Sequence, residues 1–226
     1  MKSSDGRAGL PDKKIKREVL YHGIPASPGI AIGTVMLIAE SHRTLFKDIK
    51  ITGIAPEQVD TEIALFRQAI DKTRDEIKEL RTRVQTSLES HEANIFDAHF
   101  LIVDDKMLMN EVCSSISKKL IHADAAFSQT MQKYIAAISA VPDPYLRERA
   151  ADVQDVAARI LSNLYGLKRP KLDHLPGPRI IIAKDLTPSD TALLDRTNVL
   201  AFATESGSKT SHSAILARSM RIPAIV

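Results

Sequence analysis

A block of about 110 residues with the periodicity of α-helices separates two shorter stretches that have the composition of β-strands. The first helix of the block keeps one apolar stripe over roughly thirty residues. The stripe consists of Val59, Ile63, Phe66, Ile70, Ile77, Leu80, Val84 and Leu88. Further helices are predicted near residues 92–103, 106–121, 124–139 and 143–164, the last with Asp143 as cap and Pro144 at its first position.

The flanking stretches predict a sheet. Before the block, residues 19–21 and 30–38 read as strands around a turn-rich segment at 25–29. After it, strands at 180–183, 199–203 and 222–226 alternate with short helices at 188–194 and around His212. We therefore expect an α/β domain (19–45 and 168–226) interrupted by an inserted helical bundle (56–165), after a flexible basic leader (1–18).

Composition excludes several classes of function. The leader holds six basic and three acidic residues, which leaves 25 of each in the remainder, so no basic patch predicts nucleic-acid binding. No apolar run is long enough to predict a membrane span, and no secretory signal opens the chain. Cys113 is the single cysteine, which excludes a disulfide framework and favours the cytoplasm. The histidines lack metal-ligand spacing, and no nucleotide-binding loop or serine-hydrolase motif is present.

The strongest candidate site surrounds His212. A small, polar loop at 207–211 leads into a short helix that carries His212 in its first turn. Amide groups converge at a helix start, and the helix dipole is positive there, which favours a neutral imidazole and an attached anion. Ser211 and Ser213 add hydroxyl donors, and Lys209 and Arg218 add cations. In the alternative interpretation His212 is only a capping residue and Arg218, six positions later, only a surface residue.

Thr187 forms a second signal. With Thr187 as N-cap, Pro188 at the first position and Asp190 three residues after the cap, the segment has the pattern of a capping box. The same position places the Thr187 hydroxyl at the carboxyl end of a predicted strand, where ligands of α/β sheets gather.

These motifs resemble the phosphoenolpyruvate-utilising enzymes. Gly207-Ser208-Lys209-Thr210-Ser211-His212-Ser213-Ala214-Ile215, with Ala217-Arg218 and Ile222-Pro223-Ala224, is similar to their phosphohistidine signature. Residues 23–33, 148–153 and 185–189 resemble Enzyme I of the bacterial sugar phosphotransferase system in particular. Ser208 departs from the family, which usually has a second glycine there; a positive φ at this serine would cost about 1–2 kcal/mol.

The resemblance implies a mechanism and partners. His212 would accept phosphate from phosphoenolpyruvate and pass it to the carrier protein HPr, with Thr187 orienting the imidazole and Arg218 assisting. Gly207, Lys209, Thr210, Ser211 and Ser213 would bind the phosphoryl group in a swivelling phosphohistidine domain. No cofactor is expected in this chain, since the resemblance places Mg²⁺ and phosphoenolpyruvate in a further C-terminal domain. It also implies that the full-length protein is a dimer, and we expect this chain alone to be a monomer.

The helical insert would be the docking platform for HPr. The pattern of residues 95–103 places Ile95, Phe96, Phe100 and Val103 on the core side and Leu101 among polar residues. An apolar residue there fits a recognition face, and by resemblance His99 and Ile102 belong to it too. Glu89, Glu92 and Asp97 would complement a basic partner.

Two other functions remain open at this point. The chain could belong to a dikinase- or synthase-type enzyme of the same superfamily, in which an ATP-loaded partner supplies the phosphate. It could also be a helical adaptor without catalysis, in which His212 is a cap.

Overall fold

The computed structural model describes residues 19–38, 49–87, 94–167, 175–187, 189–190, 194, 197–208 and 211–226. At residues 84, 86, 87, 94, 95, 144–148, 212 and 216 it describes the backbone only. The first elements are β1 (Pro25–Ser27) and β2 (Thr34–Ile38). A 3-10 turn at Pro56–Gln58 leads into the helices α1 (Val59–Ser87), α2 (Asn94–Val103), α3 (Lys106–Lys119), α4 (Ala123–Ser139) and α5 (Pro144–Leu164). They are followed by β3 (Arg179–Ala183), β4 (Val199–Thr204), α6 (His212–Met220) and β5 (Ala224–Ile225).

Helices α1–α5 share one hydrophobic core. Near its centre the rings of Phe66 in α1 and Phe127 in α4 lie 5.5 Å apart. The predicted stripe of α1 is confirmed where its side chains are described, since Phe66, Ile70, Ile77 and Leu80 are buried. Other fully buried side chains of this core are Phe96, Ile116, Met131, Ile160 and Leu161.

Local hydrogen bonds fix where these helices begin. The Asp105 carboxylate accepts from the backbone amides of Met107 and Leu108 and so caps α3. The start of α4 has no cap from its own N-cap residue; instead Glu62 of α1 accepts from the amide of Ala123 at 2.8 Å. The first turn of α4 is also tied to the end of α5, because the hydroxyl of Tyr165, the residue that follows α5, donates to the carboxylate of Asp124 at 2.6 Å. Burial, and then this bond, raise the pKa of Tyr165.

The five strands form one sheet in the order β1-β5-β4-β3-β2. Neighbours from β2 to β5 run parallel, and β1 pairs antiparallel with β5 at the edge. Strands β2 and β3 are paired over their full lengths, from Thr34 with Arg179 to Ile38 with Ala183. All five helices α1–α5 are therefore inserted between two adjacent parallel strands.

Only one face of the sheet is covered by described residues. Alternation along the strands places Met36, Ile181 and Phe202 on one face, in a second hydrophobic core that includes Ala214 and Ala217 of α6. Val35, Leu37 and Ile182 lie on the opposite face and are exposed. Parallel sheets normally bury both faces, so this face presents an unusually apolar surface.

The sequence predicted the helices better than the strands. Strands were expected at residues 19–21 and 30–38, but residues 19–24 and 30–33 form no strand and only Thr34–Ile38 does. The edge strand β1 lies instead in the turn-rich segment at 25–29. The predicted strands after residue 179 are confirmed, with the last one reduced to Ala224–Ile225. None of the described helices is long and apolar enough to cross a membrane.

Candidate functional site

Helix α6 begins at His212, as the sequence predicts. Ser211 is its N-cap, and the Ser211 Oγ accepts from the amide of Ala214 at 3.3 Å. The same hydroxyl donates to the Ser208 carbonyl at 2.8 Å and lies 3.1 Å from the hydroxyl of the buried Ser213. Two serine hydroxyls therefore flank the backbone of His212, at the positive end of a nine-residue helix.

The loop before α6 is tied to the sheet. Beyond the end of β4, the amides of Glu205 and Ser206 donate to the carbonyls of Ala183 and Lys184, which extends the pairing with β3. Gly207 has φ +144°, and an added Cβ would lie 3.2 Å from the side chain of Val226, so a glycine is required there. Ser208 has no positive φ, and the strain considered for this serine does not arise. Lys209 and Thr210 lie outside the described residues.

Thr187 forms the predicted capping box at the carboxyl end of β3. Its Oγ1 accepts from the amide of Asp190 at 3.1 Å, and the Asp190 carboxylate accepts from the amide of Thr187 at 3.1 Å. Ser189 and Asp190 have helical backbone, whereas Pro188 and residues 191–193 lie outside the description. The hydroxyl of Thr187 is thus fixed beyond a strand whose neighbour, β4, leads directly into the His212 loop.

Two further hydroxyls at this edge were not predicted from the sequence. Ser189 and Thr204 are buried, and the Oγ of Ser189 and the Oγ1 of Thr204 have no hydrogen-bond partner among the described residues. Thr204 is the last residue of β4, and Ser189 follows the cap after β3. The available sequence signal was their position, since each comes at or after the carboxyl end of a parallel strand.

Arg218 occupies the last turn of α6, about 9 Å along the helix axis from His212. Its Nη1 donates to the carbonyl of Ala26 in β1 at 3.0 Å. The structure therefore connects this predicted catalytic cation to the edge strand. Its contribution to phosphoryl binding remains a prediction.

The docking surface predicted on α2 stays a prediction, and the structure shows which of its side chains are exposed. Leu101 is 77% exposed, as its helical position predicted, while Phe96 and Val103 are buried. Ile102 is half-buried and packs against the helical core. Met107, in the first turn of α3, is 76% exposed and was not predicted. Glu89 and Glu92 lie outside the described residues, and the carboxylate of Asp97 forms an ion pair with Arg81 at 2.9 Å.

His99 does not lie on an exposed face, and that expectation is wrong. Its side chain is 1% exposed. The Nε2 lies 4.0 Å from the carboxylate of Asp152 in α5, and neither ring nitrogen has a hydrogen-bond partner among the described residues. The spacing could have shown this, because His99 follows the buried Phe96 by three positions and precedes the buried Val103 by four.

A metal centre is not apparent in the described part of the chain, where no group of three or more His, Cys, Asp or Glu side chains is placed to hold an ion.

Family models match most of the chain. The model described as "PEP-utilising enzyme, N-terminal" matches residues 22–149, and the model described as "PEP-utilising enzyme, mobile domain" matches residues 175–226. The candidate site at His212 thus falls in the mobile-domain match and the α2 surface in the N-terminal match.

Curated relatives point the same way. A phosphoenolpyruvate-protein phosphotransferase of Enterococcus faecalis is 39% identical over 208 residues, which are 92% of this chain and 35% of that protein. The phosphotransferase of the same name from Staphylococcus aureus (strain MRSA252) is 37% identical over 207 residues, again 92% of this chain and 35% of that protein. The chain therefore spans about a third of the length of these relatives.

Solved structures share the fold. A solution structure of Enzyme I (nEIt) superposes with a TM-score of 0.75 at 38% identity, covering 89% of this chain and 80% of that one. The N-terminal domain of Enzyme 1 - Nitrogen superposes with a TM-score of 0.64 at 23% identity, covering 90% and 81%. The second likeness concerns the fold alone.

Proposed function

Because the chain belongs to the family of phosphoenolpyruvate-utilising enzymes, with phosphoenolpyruvate-protein phosphotransferases among its relatives, we propose that it carries the phosphohistidine of an Enzyme I-type phosphotransferase. His212 accepts a phosphoryl group and transfers it to HPr, in the first step of sugar uptake by the phosphotransferase system. One observation supports this above the others: His212 is the first residue of a helix whose cap, Ser211, is hydrogen-bonded to the buried Ser213.

Phosphoryl transfer requires the protein mainly to position the two reacting groups and to stabilise the charge on the phosphoryl oxygens. A neutral imidazole nitrogen of His212 attacks phosphorus, a nitrogen–phosphorus bond forms, and the bond to the donor nitrogen of phospho-HPr breaks. The phosphoryl oxygens are then stabilised by first-turn amides of α6 and the helix dipole. The hydroxyls of Ser211 and Ser213 donate to these oxygens as well, after turning away from the Ser208 carbonyl and from each other. In this proposal Gly207, Lys209 and Thr210 complete the phosphoryl site, and the Thr187 hydroxyl orients the imidazole.

HPr docks on the helical part of the chain. The exposed Leu101 at the end of α2 and Met107 at the start of α3 supply apolar contacts, with the half-buried Ile102 at their margin. Glu92 is proposed as an acidic contact for a basic partner. His99 contributes to the packing beneath α2 and not to the docking surface, because its side chain is buried.

The remaining apparatus lies in the longer protein. We propose that residues 19–45 and 168–226 form a swivelling phosphohistidine domain and residues 56–165 the HPr-binding subdomain. In this proposal a further domain, for which the greater length of the relatives leaves room, binds phosphoenolpyruvate and Mg²⁺. The same domain dimerises the protein, which acts in the cytoplasm. This chain alone is proposed to be a monomer and to need no cofactor for exchange with HPr.

The decisive experiment compares wild type with His212→Ala after incubation with phospho-HPr. Wild type should gain one acid-labile phosphate, whereas His212→Ala should gain none and keep its circular dichroism spectrum and affinity for HPr. Labelling of the variant would contradict the assignment of the histidine. Labelling of wild type by an ATP-loaded partner but not by phospho-HPr would favour a dikinase-type enzyme, and no labelling at all would favour an adaptor.

A further inference from the structure

Residues 23–29 lie at the edge of the sheet, next to β5, and contribute no chemical group to the proposed site. We call them the edge segment. Its backbone is bonded to the last strand: Ile24 donates to the carbonyl of Val226 at 2.7 Å and accepts from the amide of Val226 at 3.0 Å. Farther along, Ser27 stands opposite Ala224. The edge segment is therefore paired with the strand that directly follows α6.

Close packing leaves the edge segment little freedom. Gly29 has φ +141°, and an added Cβ would come within 2.6 Å of the ring of Pro223, the residue directly before β5. At the other end, a Cβ on Gly23 would collide with the side chain of Ile225. Ala26 and Ser27, between these glycines, are buried. A side chain at either glycine would push the edge segment away from β5.

Arg218 connects α6 to the same segment. Its guanidinium donates to the carbonyl of Ala26 at 3.0 Å across 192 positions of sequence. Ala214 and Ala217, on the inner side of α6, pack in the core that also contains Ala26. The helix is thus fixed to the edge segment at its C-terminal end, while its N-terminal end carries His212.

We propose that Arg218 is a positioning residue, which acts through the Ala26 carbonyl to set the direction in which α6 presents His212. The proposal rests on the proposed function of His212. It gives the edge segment a role that the sequence alone did not suggest, and it assigns to Arg218 an indirect contribution in place of direct contact with the phosphoryl group. A helix nine residues long transmits a shift at one end to the other, because its backbone hydrogen bonds keep it rigid.

The test compares Arg218→Met, which keeps the aliphatic stem, with Arg218→Lys, which can still donate to a carbonyl. Arg67→Met, at an exposed arginine of α1, is the matched control. For Arg218→Met we expect the rate of phosphoryl transfer from saturating phospho-HPr to fall about 10- to 100-fold, since misplacement of about 1 Å has effects of this size. The KM for phospho-HPr and the melting temperature should stay at wild-type values, and Arg218→Lys should recover most of the rate.

A double-mutant cycle with Gly29→Ala identifies the route. If Arg218 acts through the edge segment, Arg218→Met and Gly29→Ala together should be no slower than the slower single variant. Multiplicative losses, or an unchanged rate in Arg218→Met, would overturn the proposal. A rate that falls only as the melting temperature falls, with no recovery by lysine, would also overturn it.

A measurement without phosphate separates this proposal from the proposed function. In ¹H–¹⁵N spectra of the unphosphorylated protein, the amides of Ser211, Ser213 and Ala214 should shift in Arg218→Met and keep their wild-type positions in Arg67→Met. Unshifted amides would count against the positioning role whatever His212 does. Shifted amides in a protein that takes no phosphate from phospho-HPr would uphold the connection between Arg218 and the helix start and refute the function.

Discussion

In our proposal the hydroxyl of Thr187 caps a helix start and orients the imidazole of His212, and substitutions can separate these two roles. Thr187→Ala removes the acceptor of the Asp190 amide and should lower the free energy of unfolding by about 0.5–2 kcal/mol. It should also slow phosphorylation of His212 by phospho-HPr. Thr187→Ser keeps the hydroxyl and should restore both the stability and the rate, as measured by urea unfolding and by rapid-quench labelling.

Asp190→Ala is the matched control for Thr187. It removes the other half of the capping box, the acceptor of the Thr187 amide, and leaves the hydroxyl in place. We expect a comparable loss of stability with nearly wild-type labelling. If Asp190→Ala slows labelling as much as Thr187→Ala does, the hydroxyl has no separate role in orienting His212.

At the scale of the residue, local patterns were predictable and burial by distant elements was not. The capping box of Thr187 and the helical start at His212 depend on neighbours within four positions, so the sequence displays them. His99 is buried because α5 packs over it and brings Asp152 close, and this packing partner is 53 positions away. The burial of the Ser189 and Thr204 hydroxyls, which have no partner within the described part of the chain, depends likewise on tertiary packing.

At the scale of the element, the start of α4 relies on a side chain from another helix. The two oxygens of Glu62 accept from the amide of Ala123 and contact Nδ1 of His122 at 2.9 Å. Glu62→Ala should therefore lower the free energy of unfolding by about 1–2 kcal/mol in urea. Glu62→Gln keeps one acceptor oxygen and should recover about half of the loss. Equal losses in the two variants would show that the charge, and not the amide bond, supports α4.

The exposed end of α2 gives a prediction about docking. Leu101→Asp should weaken binding of HPr about tenfold or more, because it places an unpaired carboxylate in an apolar contact. The melting temperature should barely change, since Leu101 is exposed. Leu65→Asp, at an exposed leucine of α1, should leave affinity unchanged in calorimetric titrations. A large fall in melting temperature without loss of affinity would exclude Leu101 from the docking surface.

Helices were predictable as elements because their stabilising pattern is local, whereas strands depend on partners far along the chain. The apolar stripe of α1 identifies its buried side within one window of sequence. Strand β1 forms because β5 pairs with it from almost 200 positions away, and nothing in residues 25–27 announces this partner. Residues 30–33 are apolar but do not form a strand. A β-branched residue favours a strand mainly when its side chain packs on the surface of a sheet, and this packing cannot be read from the local sequence.

At the scale of the whole molecule, the proposal divides the reaction between this chain and the rest of the longer protein. Attack on phosphoenolpyruvate requires cations that clamp its phosphate and carboxylate, commonly with a metal ion held by acidic residues. No such acidic group is placed among the described residues. Exchange with phospho-HPr needs two histidines held in line and oxygens stabilised from both sides. These demands differ enough to be measured apart.

We therefore expect the purified chain to exchange phosphate reversibly with HPr and to gain no label from phosphoenolpyruvate, with or without Mg²⁺. Labelled phosphoenolpyruvate and labelled phospho-HPr, each supplied alone, provide the comparison. His212→Ala serves as the blank for both reactions. Label from phosphoenolpyruvate on the wild-type chain alone would contradict the division.

The insertion of five helices between β2 and β3 also delays the synthesis of β3 relative to that of β2. About 140 residues separate the end of β2 from the start of β3, its first partner in the sheet. At translation rates of roughly 5–20 residues per second, β2 leaves the ribosome about 7 to 28 s before β3. The helices, whose contacts are nearer in sequence, can fold during this interval. Strand β2 has no partner in the described sheet until β3 is made, so its apolar side chains stay exposed on the nascent chain during this interval.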